Sequence, residues 1–243
     1  MIVLFTDFGL HGPYTGQVKA VLHRMAPAIS AIDLFADAPA GNPKASAYLL
    51  AAYAEWFAEQ TIFLAVVDPG VGSARPAIIL EADGRWYVGP GNGLFELVER
   101  RASHARCWDI AWKPEGLSAS FHGRDLFAPV AAMLARGEFA PREPRQDDAH
   151  RRKDWPDDLS EIVYIDHFGN AMTGLRARML AGGTRLAVAG RILERAGTFS
   201  DRSEGTPFWY ENSNGLAEIA VNGARADGVL GLAIGTPVEM VVA

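Results

Sequence analysis

The fold class of the chain is decided by the stretch IFLAVVDPGVG, residues 62–72. Residues 62–67 form a continuous apolar run, which is typical of a strand covered on both faces, and the run passes directly into a polar loop rich in glycine. Residues 2–5 are predicted to form another buried strand. After them, apolar residues follow the i, i+3, i+4, i+7 spacing of an amphipathic helix, namely Val18, Val21, Leu22 and Met25. Strands that alternate with helices in this way predict an α/β fold with layered elements.

A charged stretch divides the chain where this alternation ends. Residues 142–158 hold eleven charged residues and two prolines, a composition typical of an exposed linker. Residues 1–141 are therefore predicted to form an N-terminal α/β layered domain. Residues 159–243 contain short apolar segments separated by turn residues, a pattern that predicts a small C-terminal antiparallel β-barrel domain.

Composition and charge exclude several classes of protein. The formal net charge of −6 argues against a nucleic-acid partner, because such proteins carry a basic surface. A single cysteine, Cys107, excludes an internal disulfide and a multi-thiolate metal site. No two of the six histidines have the spacing of a zinc-binding helix, so we expect no metal, and we expect His150 to be solvated in the linker. No export leader or membrane-spanning run is present, which predicts a soluble cytoplasmic protein with no membrane partner.

Polar residues cluster directly after several predicted strands, where ligands bind in open α/β sheets. Four such segments are present: Thr6-Asp7-Phe8-Gly9, Asp68 to Arg75, Gly89 to Gly93 and Asp166-His167-Phe168-Gly169-Asn170. Each segment alone is consistent with an ordinary loop, since aspartate and glycine are common turn residues. Together they favour a functional site at the strand ends.

The chemistry of this site is left open by the residues themselves. Asp7 could accept two hydrogen bonds from a ribose diol or could be an ordinary turn residue. His122, in Ser120-Phe121-His122-Gly123-Arg124-Asp125, could transfer a proton near neutral pH or could serve as a structural hydrogen-bonding group. No dinucleotide fingerprint, P-loop or serine nucleophile elbow is present.

The motifs taken together resemble a known family. They are Thr6-Asp7-Phe8-Gly9, Asp68-Pro69-Gly70-Val71-Gly72, Phe121-His122-Gly123-Arg124-Asp125, Asp166-His167-Phe168-Gly169-Asn170, Asn212-Ser213 and Glu218-Ile219-Ala220-Val221-Asn222, in this order. This set is similar to that of the S-adenosylmethionine hydroxide adenosyltransferases, which are related to the fluorinating and chlorinating adenosyl enzymes. The resemblance implies hydrolysis of S-adenosylmethionine to adenosine and L-methionine without a cofactor. It also implies a homotrimer with active sites between subunits.

The resemblance also implies roles for individual residues. Asp68, Arg75 and His122 match the catalytic residues that hold the nucleophilic water; His122 and Asp68 could orient and deprotonate it, and Arg75 could keep Asp68 ionised. Asp7 matches the carboxylate that binds the ribose. The other residues expected to bind substrate are Phe8, Phe121, Phe168, Asn170, Tyr210, Asn212, Ser213, Glu218 and Val221.

Two alternatives and two departures accompany this interpretation. Adenosyl transfer to a halide is disfavoured because the halogenating relatives carry a hydroxyl-bearing residue in place of Gly123 and lack the Asp/Arg/His set. A protein that binds adenosine or S-adenosylmethionine without turnover would not need that set. The chain departs from the family pattern at Gly12 and Gly91, where an aspartate is common.

Overall fold

The computed structural model describes residues 1–138 and 140–241, and the chain forms two compact units, Met1–Lys153 and Asp154–Ala243. The first unit is built on a seven-stranded sheet in the order β2-β1-β3-β5-β4-β6-β7. Its strands are β1 (Ile2–Thr6), β2 (Ala31–Phe35), β3 (Ile62–Val66), β4 (Ala77–Ala82), β5 (Arg85–Pro90), β6 (Ala105–Ile110) and β7 (Arg142–Pro144). The pairs from β2 to β5 are parallel and those from β5 to β7 are antiparallel. The predicted α/β class is therefore confirmed.

Helices cover this sheet. They are α1 (Tyr14–Met25), α2 (Pro43–Ala54), α3 (Glu96–Arg101) and α4 (Ala128–Ala135), and the π-helical turn Gly123–Phe127 leads directly into α4. Both β1 and β3 are buried along their whole length, as expected for strands with helices on both faces. Asn42 caps α2 by accepting the Ala45 N–H at 3.0 Å, and Pro43 occupies the first helical turn, where its missing N–H costs no hydrogen bond.

The predicted linker at residues 142–158 requires a correction. Arg142–Pro144 is strand β7, which pairs with β6, and the first unit extends to Lys153. His150, expected to be solvated, is only 5% exposed, and its Nε2 lies 3.0 Å from Glu99 Oε2. Arg151 Nε donates to Glu96 Oε2 at 2.8 Å. The charged residues are therefore held against α3, because the buried carboxylate of Glu96 requires cationic partners.

The second unit contains two antiparallel sheets. A four-stranded sheet has the order β12-β13-β9-β8 and a three-stranded sheet has the order β11-β10-β14. The strands are β8 (Leu159–Ile165), β9 (Ala171–Arg176), β10 (Arg185–Val188), β11 (Arg191–Leu193), β12 (Pro207–Glu211), β13 (Leu216–Val221) and β14 (Glu239–Val241), and the helix is α5 (Ala226–Leu230). Single bridges join Glu161 to Pro237 and Arg195 to Trp209. The antiparallel arrangement is confirmed, whereas a closed barrel stays a prediction.

Two limits of the described chain affect the sequence predictions. The last two residues of the predicted C-terminal domain, 242–243, lie outside the described residues. Among the residues that are described, no helix is long and apolar enough to cross a membrane.

Candidate active site

The candidate site of the first unit begins where β1 and β3 end side by side. Thr6 and Val66 are partners in the parallel ladder, and the Asp7 N–H donates to the Val66 carbonyl at 3.4 Å. The loops that follow these two strands therefore start at the same edge of the sheet, and each carries an aspartate, Asp7 and Asp68. This is the edge at which ligands bind in sheets of this type.

Asp68 and Arg75 form a buried, two-pronged ion pair. Arg75 Nε donates to Asp68 Oδ1 at 2.8 Å, and Arg75 Nη2 donates to Asp68 Oδ2. The two side chains are 4% and 10% exposed, respectively. A buried ion pair offers little net stability, because the charges lose their hydration. This pair is therefore better explained by chemistry at the site than by folding.

Arg75 also connects Asp68 to His122. Arg75 Nη2 lies 3.1 Å from His122 Nδ1, and the guanidinium lies over the Phe127 ring at 5.2 Å. Burial lowers the pKa of His122 below its ordinary value, and the positive charge of Arg75 lowers it further, against the opposing effect of Asp68 and Asp125. His122 is thus neutral near neutral pH.

The loop from Asp68 to Arg75 folds back on itself, so that Arg75 at its end contacts Asp68 at its start. The Val71 N–H donates to the Asp68 carbonyl at 3.2 Å, and the Ser73 N–H donates to the Gly70 carbonyl at 3.0 Å. Gly72 has φ +78°, and a Cβ there would lie 2.5 Å from the carbonyl oxygen of Ala119. Only glycine satisfies both constraints, so Gly72 holds this loop against the segment that precedes His122.

Hydrogen bonds made by Arg124 and Asp125 fix the segment that carries Phe121 and His122. Asp125 Oδ2 accepts the Ser118 N–H at 3.2 Å, and Asp125 Oδ1 accepts Arg124 Nε at 2.6 Å. Arg124 also donates to Gln17 Oε1 on α1 at 2.8 Å and lies over the Phe121 ring at 5.1 Å. The Arg124-Asp125 pair therefore ties this segment to itself and to α1.

Asp7 is held beside this group. Its Oδ2 accepts the Gly41 N–H at 2.8 Å. Burial raises the pKa of Asp7, and the charge of Asp68 raises it further, while the hydrogen bond from Gly41 acts in the opposite direction. Asp7 is therefore a partly buried carboxylate at the same edge of the sheet as Asp68.

Aromatic rings form the apolar side of this site. Phe8 and Phe121, both predicted from the sequence, have ring centroids 5.7 Å apart, and Tyr14 lies 6.3 Å from Phe8 and 5.4 Å from Phe121. Sequence reasoning missed Tyr14; the available signal was an aromatic residue at the first position of α1. A Cβ on Gly123 would lie 2.9 Å from Phe8 Cζ, so a side chain at that position would require the Phe8 ring to move.

The two departures at Gly12 and Gly91 have local structural reasons. Gly12 has φ +107°, and a Cβ there would meet nothing within 4 Å, so the backbone conformation alone accounts for glycine. At Gly91 a Cβ would lie 2.7 Å from Pro76 Cγ and 3.2 Å from the Cβ of His150. Close packing against these two residues leaves no room for an aspartate.

The second unit brings together a different group of predicted residues. The Asn170 side chain and backbone N–H both donate to Asp166, at 3.1 Å and 2.8 Å. Glu218 is 2% exposed; the Tyr210 hydroxyl donates to its Oε1 at 2.6 Å, and Asn212 Nδ2 donates to its Oε2 at 2.7 Å. Burial raises the pKa of Glu218, an effect that these two hydrogen bonds oppose and the charge of Asp166 reinforces.

The remaining predicted residues of this unit differ in what they can offer a ligand. Phe168 is 73% exposed, and Ser213 is also exposed. The Asn212 side chain is largely engaged within the unit: its Oδ1 accepts the N–H groups of Asn214 and Leu216, and its Nδ2 donates to Glu218. Val221 is buried in the hydrophobic core, on the opposite face of β13 from Glu218 by strand alternation. Only the backbone of Val221 is therefore available to a ligand.

The described residues offer neither a cluster of metal ligands nor a reactive thiol. Within residues 1–138 and 140–241, no three histidine, cysteine, aspartate or glutamate side chains lie close enough to hold a metal ion. Burial raises the pKa of the Cys107 thiol to about 12, so this cysteine does not offer a thiolate at neutral pH.

Comparisons with known proteins identify the family of the chain. Family models described as the SAM hydroxide adenosyltransferase N-terminal and C-terminal domains match residues 2–143 and 160–239. The chain is 39% identical to an (R)-S-adenosyl-L-methionine hydrolase from Thermus thermophilus, covering 98% of both chains. It is 34% identical to one from Salinispora tropica, covering 95% of this chain and 93% of the other.

Solved structures show the same relationship. A crystal structure of an uncharacterized conserved protein from Thermotoga maritima has a TM-score of 0.87 at 29% identity, over 99% of this chain and 100% of that one. A conserved hypothetical protein from Thermus thermophilus has a TM-score of 0.76 at 35% identity, over 99% of both chains. With both domain models matched and full-length relatives above 30% identity, the chain belongs to the SAM hydroxide adenosyltransferase family.

Proposed function

We propose that this protein hydrolyses S-adenosyl-L-methionine to adenosine and L-methionine. The observation that carries the proposal is the hydrogen-bonded group Asp68-Arg75-His122 at the carboxyl end of the parallel strands. The family to which the chain belongs indicates the substrate. The relatives from Thermus thermophilus and Salinispora tropica are named for the (R) form of S-adenosyl-L-methionine, and we assign the same form to this chain.

The reaction is one that a positioned water can perform. The water oxygen attacks the ribose C5′ carbon, the C5′–S bond breaks, and its electron pair neutralises the sulfonium to give the thioether of methionine. One proton of the water is released to solvent, which leaves the 5′-hydroxyl group of adenosine. A neutral leaving group needs no proton, so no general acid is required. Holding the water in line with the C–S bond can lower the barrier by ~7–11 kcal/mol, and the group Asp68-Arg75-His122 supplies the polar partners for that water.

The substrate-binding roles follow from the same proposal. Asp7 accepts hydrogen bonds from the ribose diol, and Phe8 and Phe121 form an apolar wall beside it. Asn170 and Glu218 serve the adenosine subsite, with Phe168, Tyr210 and Ser213 around them. Asn212 holds Glu218 in place through a hydrogen bond from its Nδ2, and Val221 contributes its backbone.

Transfer to a halide is not favoured by the site. A hydroxyl-bearing side chain in place of Gly123 would meet the Phe8 ring, whose Cζ would lie 2.9 Å from its Cβ. A protein that only binds its ligand would not need Asp68, Arg75 and His122 to be held together as one hydrogen-bonded group.

The proposal includes an assembly. We infer a homotrimer in which the first unit of one subunit and the second unit of a neighbour share each active site, with a closed barrel in the second unit and a cytoplasmic location. Each unit has an aromatic ring that is available to such an interface: Tyr14 in the first unit and Phe168 in the second are 51% and 73% exposed.

One experiment tests the activity. The purified protein is incubated with S-adenosyl-L-methionine in water labelled with oxygen-18, and the products are separated by chromatography. We expect adenosine with the label in its 5′-hydroxyl group, together with unlabelled methionine. A halogenated nucleoside formed in the presence of chloride, or tight binding with no adenosine formed, would contradict the proposal.

A further inference from the structure

Of the four polar segments at the strand ends, residues 89–93 are the one to which the proposed reaction gives no role. This segment follows the parallel pairing of β5 with β3, which ends at Leu64 and Val88. Just beyond that pair, a Cβ on Gly89 would lie 2.1 Å from the Ala65 carbonyl oxygen. Glycine at this position therefore allows the end of β5 to lie directly against the end of β3.

Asn92 in this segment binds the last residue before Asp68. Its Nδ2 donates to the Val67 carbonyl at 2.9 Å, and its Oδ1 accepts the Leu94 N–H at 3.2 Å. The first bond joins the segment to the end of β3, and the second closes a turn within the segment. On the opposite side of β3, the Val66 carbonyl accepts an N–H from the loop after β1 at 3.4 Å. The chain is therefore held on both sides immediately before it reaches Asp68.

The neighbouring residue, Gly91, binds the other end of the same loop. Its N–H donates to the Pro76 carbonyl at 2.9 Å, and the same carbonyl oxygen accepts Arg75 Nη1 at 3.1 Å. Two adjacent residues after β5 thus bind the loop at both of its ends, before Asp68 and after Arg75. The distance between these ends decides whether the arginine can meet the aspartate.

We propose that Asn92 is a positioning residue for the buried pair of Asp68 and Arg75, fixing the point at which the chain leaves β3. The inference rests on the proposed hydrolysis and adds to it a residue that acts through this pair rather than on the substrate. Arg75 binds both oxygens of Asp68 and also lies 3.1 Å from His122 Nδ1. A shift at the start of the loop therefore changes all of these contacts together.

Two substitutions remove the bond to Val67 and keep an acceptor for the turn. Asn92→Asp has an oxygen for the Leu94 N–H but no donor at neutral pH, and Asn92→Ser has an uncharged acceptor on a side chain too short to reach the Val67 carbonyl. Because the two variants differ in charge, an effect common to both comes from the lost bond. Since small misplacements in an active site can lower turnover about 10²-fold, we expect kcat to fall by about 10–10² in both variants and KM to change less than about twofold.

Thr173→Val is the matched control for these variants. Thr173 is buried on β9 and makes the same two kinds of bond as Asn92. Its Oγ1 donates to the Ala217 carbonyl at 2.7 Å and accepts the Leu175 N–H at 3.2 Å. Because a lost buried hydrogen bond lowers stability wherever it lies, we expect Thr173→Val to lower the midpoint of urea unfolding at least as much as Asn92→Ser does, and to leave kcat unchanged.

The position of Arg75 can also be followed without turnover. Arg75 Nη2 lies 3.1 Å from His122 Nδ1, so long-range proton–nitrogen NMR spectra of the nitrogen-15-labelled protein report this contact through the Nδ1 signal. The spectrum of His122→Gln identifies that signal among those of the six histidines. We expect the signal to move in both Asn92 variants and to stay in place in Thr173→Val.

The outcomes separate this inference from the proposed function. Unchanged kcat in both Asn92 variants, an equal loss of kcat in Thr173→Val, or an unmoved His122 signal in the Asn92 variants would overturn the inference. A loss of kcat in Asn92→Asp alone would also overturn it, because the added charge would then be the cause. A wild-type protein that forms no adenosine would contradict the proposed function instead, and the NMR comparison would still decide whether Asn92 holds Arg75 against His122.

Discussion

At the scale of single residues, the surroundings of His122 favour its neutral form. The charged groups that face it are Arg75, Asp68 and Asp125, and burial acts together with Arg75 to lower its pKa below the ordinary 6.5. Protonation would place a hydrogen on Nδ1, directly against the Arg75 N–H at 3.1 Å. The neutral form of His122 is therefore the form that is compatible with its hydrogen bond to Arg75.

This arrangement predicts a specific pH dependence of turnover. Since the folded-state pKa is lowered, His122 stays neutral as pH falls through 6.5 and gains its proton only below that value. We expect kcat/KM to be retained at pH 6.5 and to fall along an acid limb whose midpoint lies below it. The measurement is a pH profile of adenosine formation, with His122→Gln as the control that should lack this limb. A wild-type midpoint above 6.5 would contradict the assignment.

Residues of the site differ in how far the sequence could predict them. Asp68, Arg75 and His122 were predicted from motif resemblance, and the structure places them within hydrogen-bond distance. Tyr14 was missed because an aromatic residue at the start of a helix is common, and its position beside Phe8 and Phe121 is visible only in the structure. The hydrogen bonds to the Asn212 side-chain oxygen are likewise not visible in the sequence.

At the scale of elements, the loop that follows β3 depends on one glycine. Gly72 combines φ +78° with a carbonyl oxygen, that of Ala119, 2.5 Å from a Cβ position. Gly116 has a similar φ of +76° but nothing within 4 Å. Both positions share a left-handed backbone, but of the two only Gly72 has the close contact with Ala119. Substitutions at the two glycines therefore distinguish the effect of backbone strain from the effect of that contact.

Gly72→Ala and Gly116→Ala form a matched pair of variants. A left-handed conformation costs a non-glycine residue roughly 1–2 kcal/mol, so Gly116→Ala should lower the free energy of unfolding by about that amount and leave kcat unchanged. Gly72→Ala should cost more stability and also lower kcat, because Arg75 would no longer reach Asp68 and His122 together. Urea unfolding and steady-state kinetics provide the two readouts. Equal losses in both variants, with kcat intact, would show that the contact with Ala119 does not position the site.

The charged segment after β7 shows why a linker was predicted and why the prediction was wrong over 142–153. Composition reports charge but not its partners, and here the partner is Glu96, which is buried on α3. Burial alone would raise the pKa of Glu96, but hydrogen bonds from Arg151, the Arg152 N–H and Arg100 outweigh it and lower the pKa from 4.5 to about 2. The segment is therefore part of the first unit.

This network predicts a loss of stability in acid. A carboxyl whose folded pKa is depressed contributes stability above its unfolded pKa, and the contribution is lost as pH falls from about 4.5 towards 2. The lowered pKa of Glu96 corresponds to about 3 kcal/mol of folding stability at neutral pH. Glu96→Gln should therefore lower the free energy of unfolding at pH 7 far more than at pH 3, as measured by urea denaturation.

A surface pair provides the control for this prediction. Glu81 pairs with Arg106, whose side chain is 72% exposed, and exposed pairs contribute about 0–1 kcal/mol. Glu81→Gln should therefore change stability little at either pH. If Glu96→Gln behaves like Glu81→Gln, the segment 142–153 is not held by the buried carboxylate.

At the scale of the whole molecule, the residues of the motif set are divided between two compact units. Asp7, Asp68, Arg75 and His122 lie in the first unit, and Asn170, Tyr210 and Glu218 lie in the second. Hydrophobic periodicity predicts each unit, because it reports which faces are buried within a domain. It does not report how copies of a chain assemble, so the oligomer is predicted from the family resemblance alone.

Complementation between subunits tests the proposed trimer. If each site takes its first-unit residues from one subunit and its second-unit residues from a neighbour, His122→Ala and Asn170→Ala chains should each be inactive alone. Random mixing in a cyclic oligomer would then restore about a quarter of the sites, those with both halves intact. The measurement is adenosine formation after co-refolding or co-expression, with mixed composition confirmed by mass spectrometry. His122→Ala mixed with Arg75→Ala is the matched control and should give no rescue, because both changes lie in the same unit. A monomer in light scattering, or a verified mixed oligomer without rescue, would contradict sites shared between subunits.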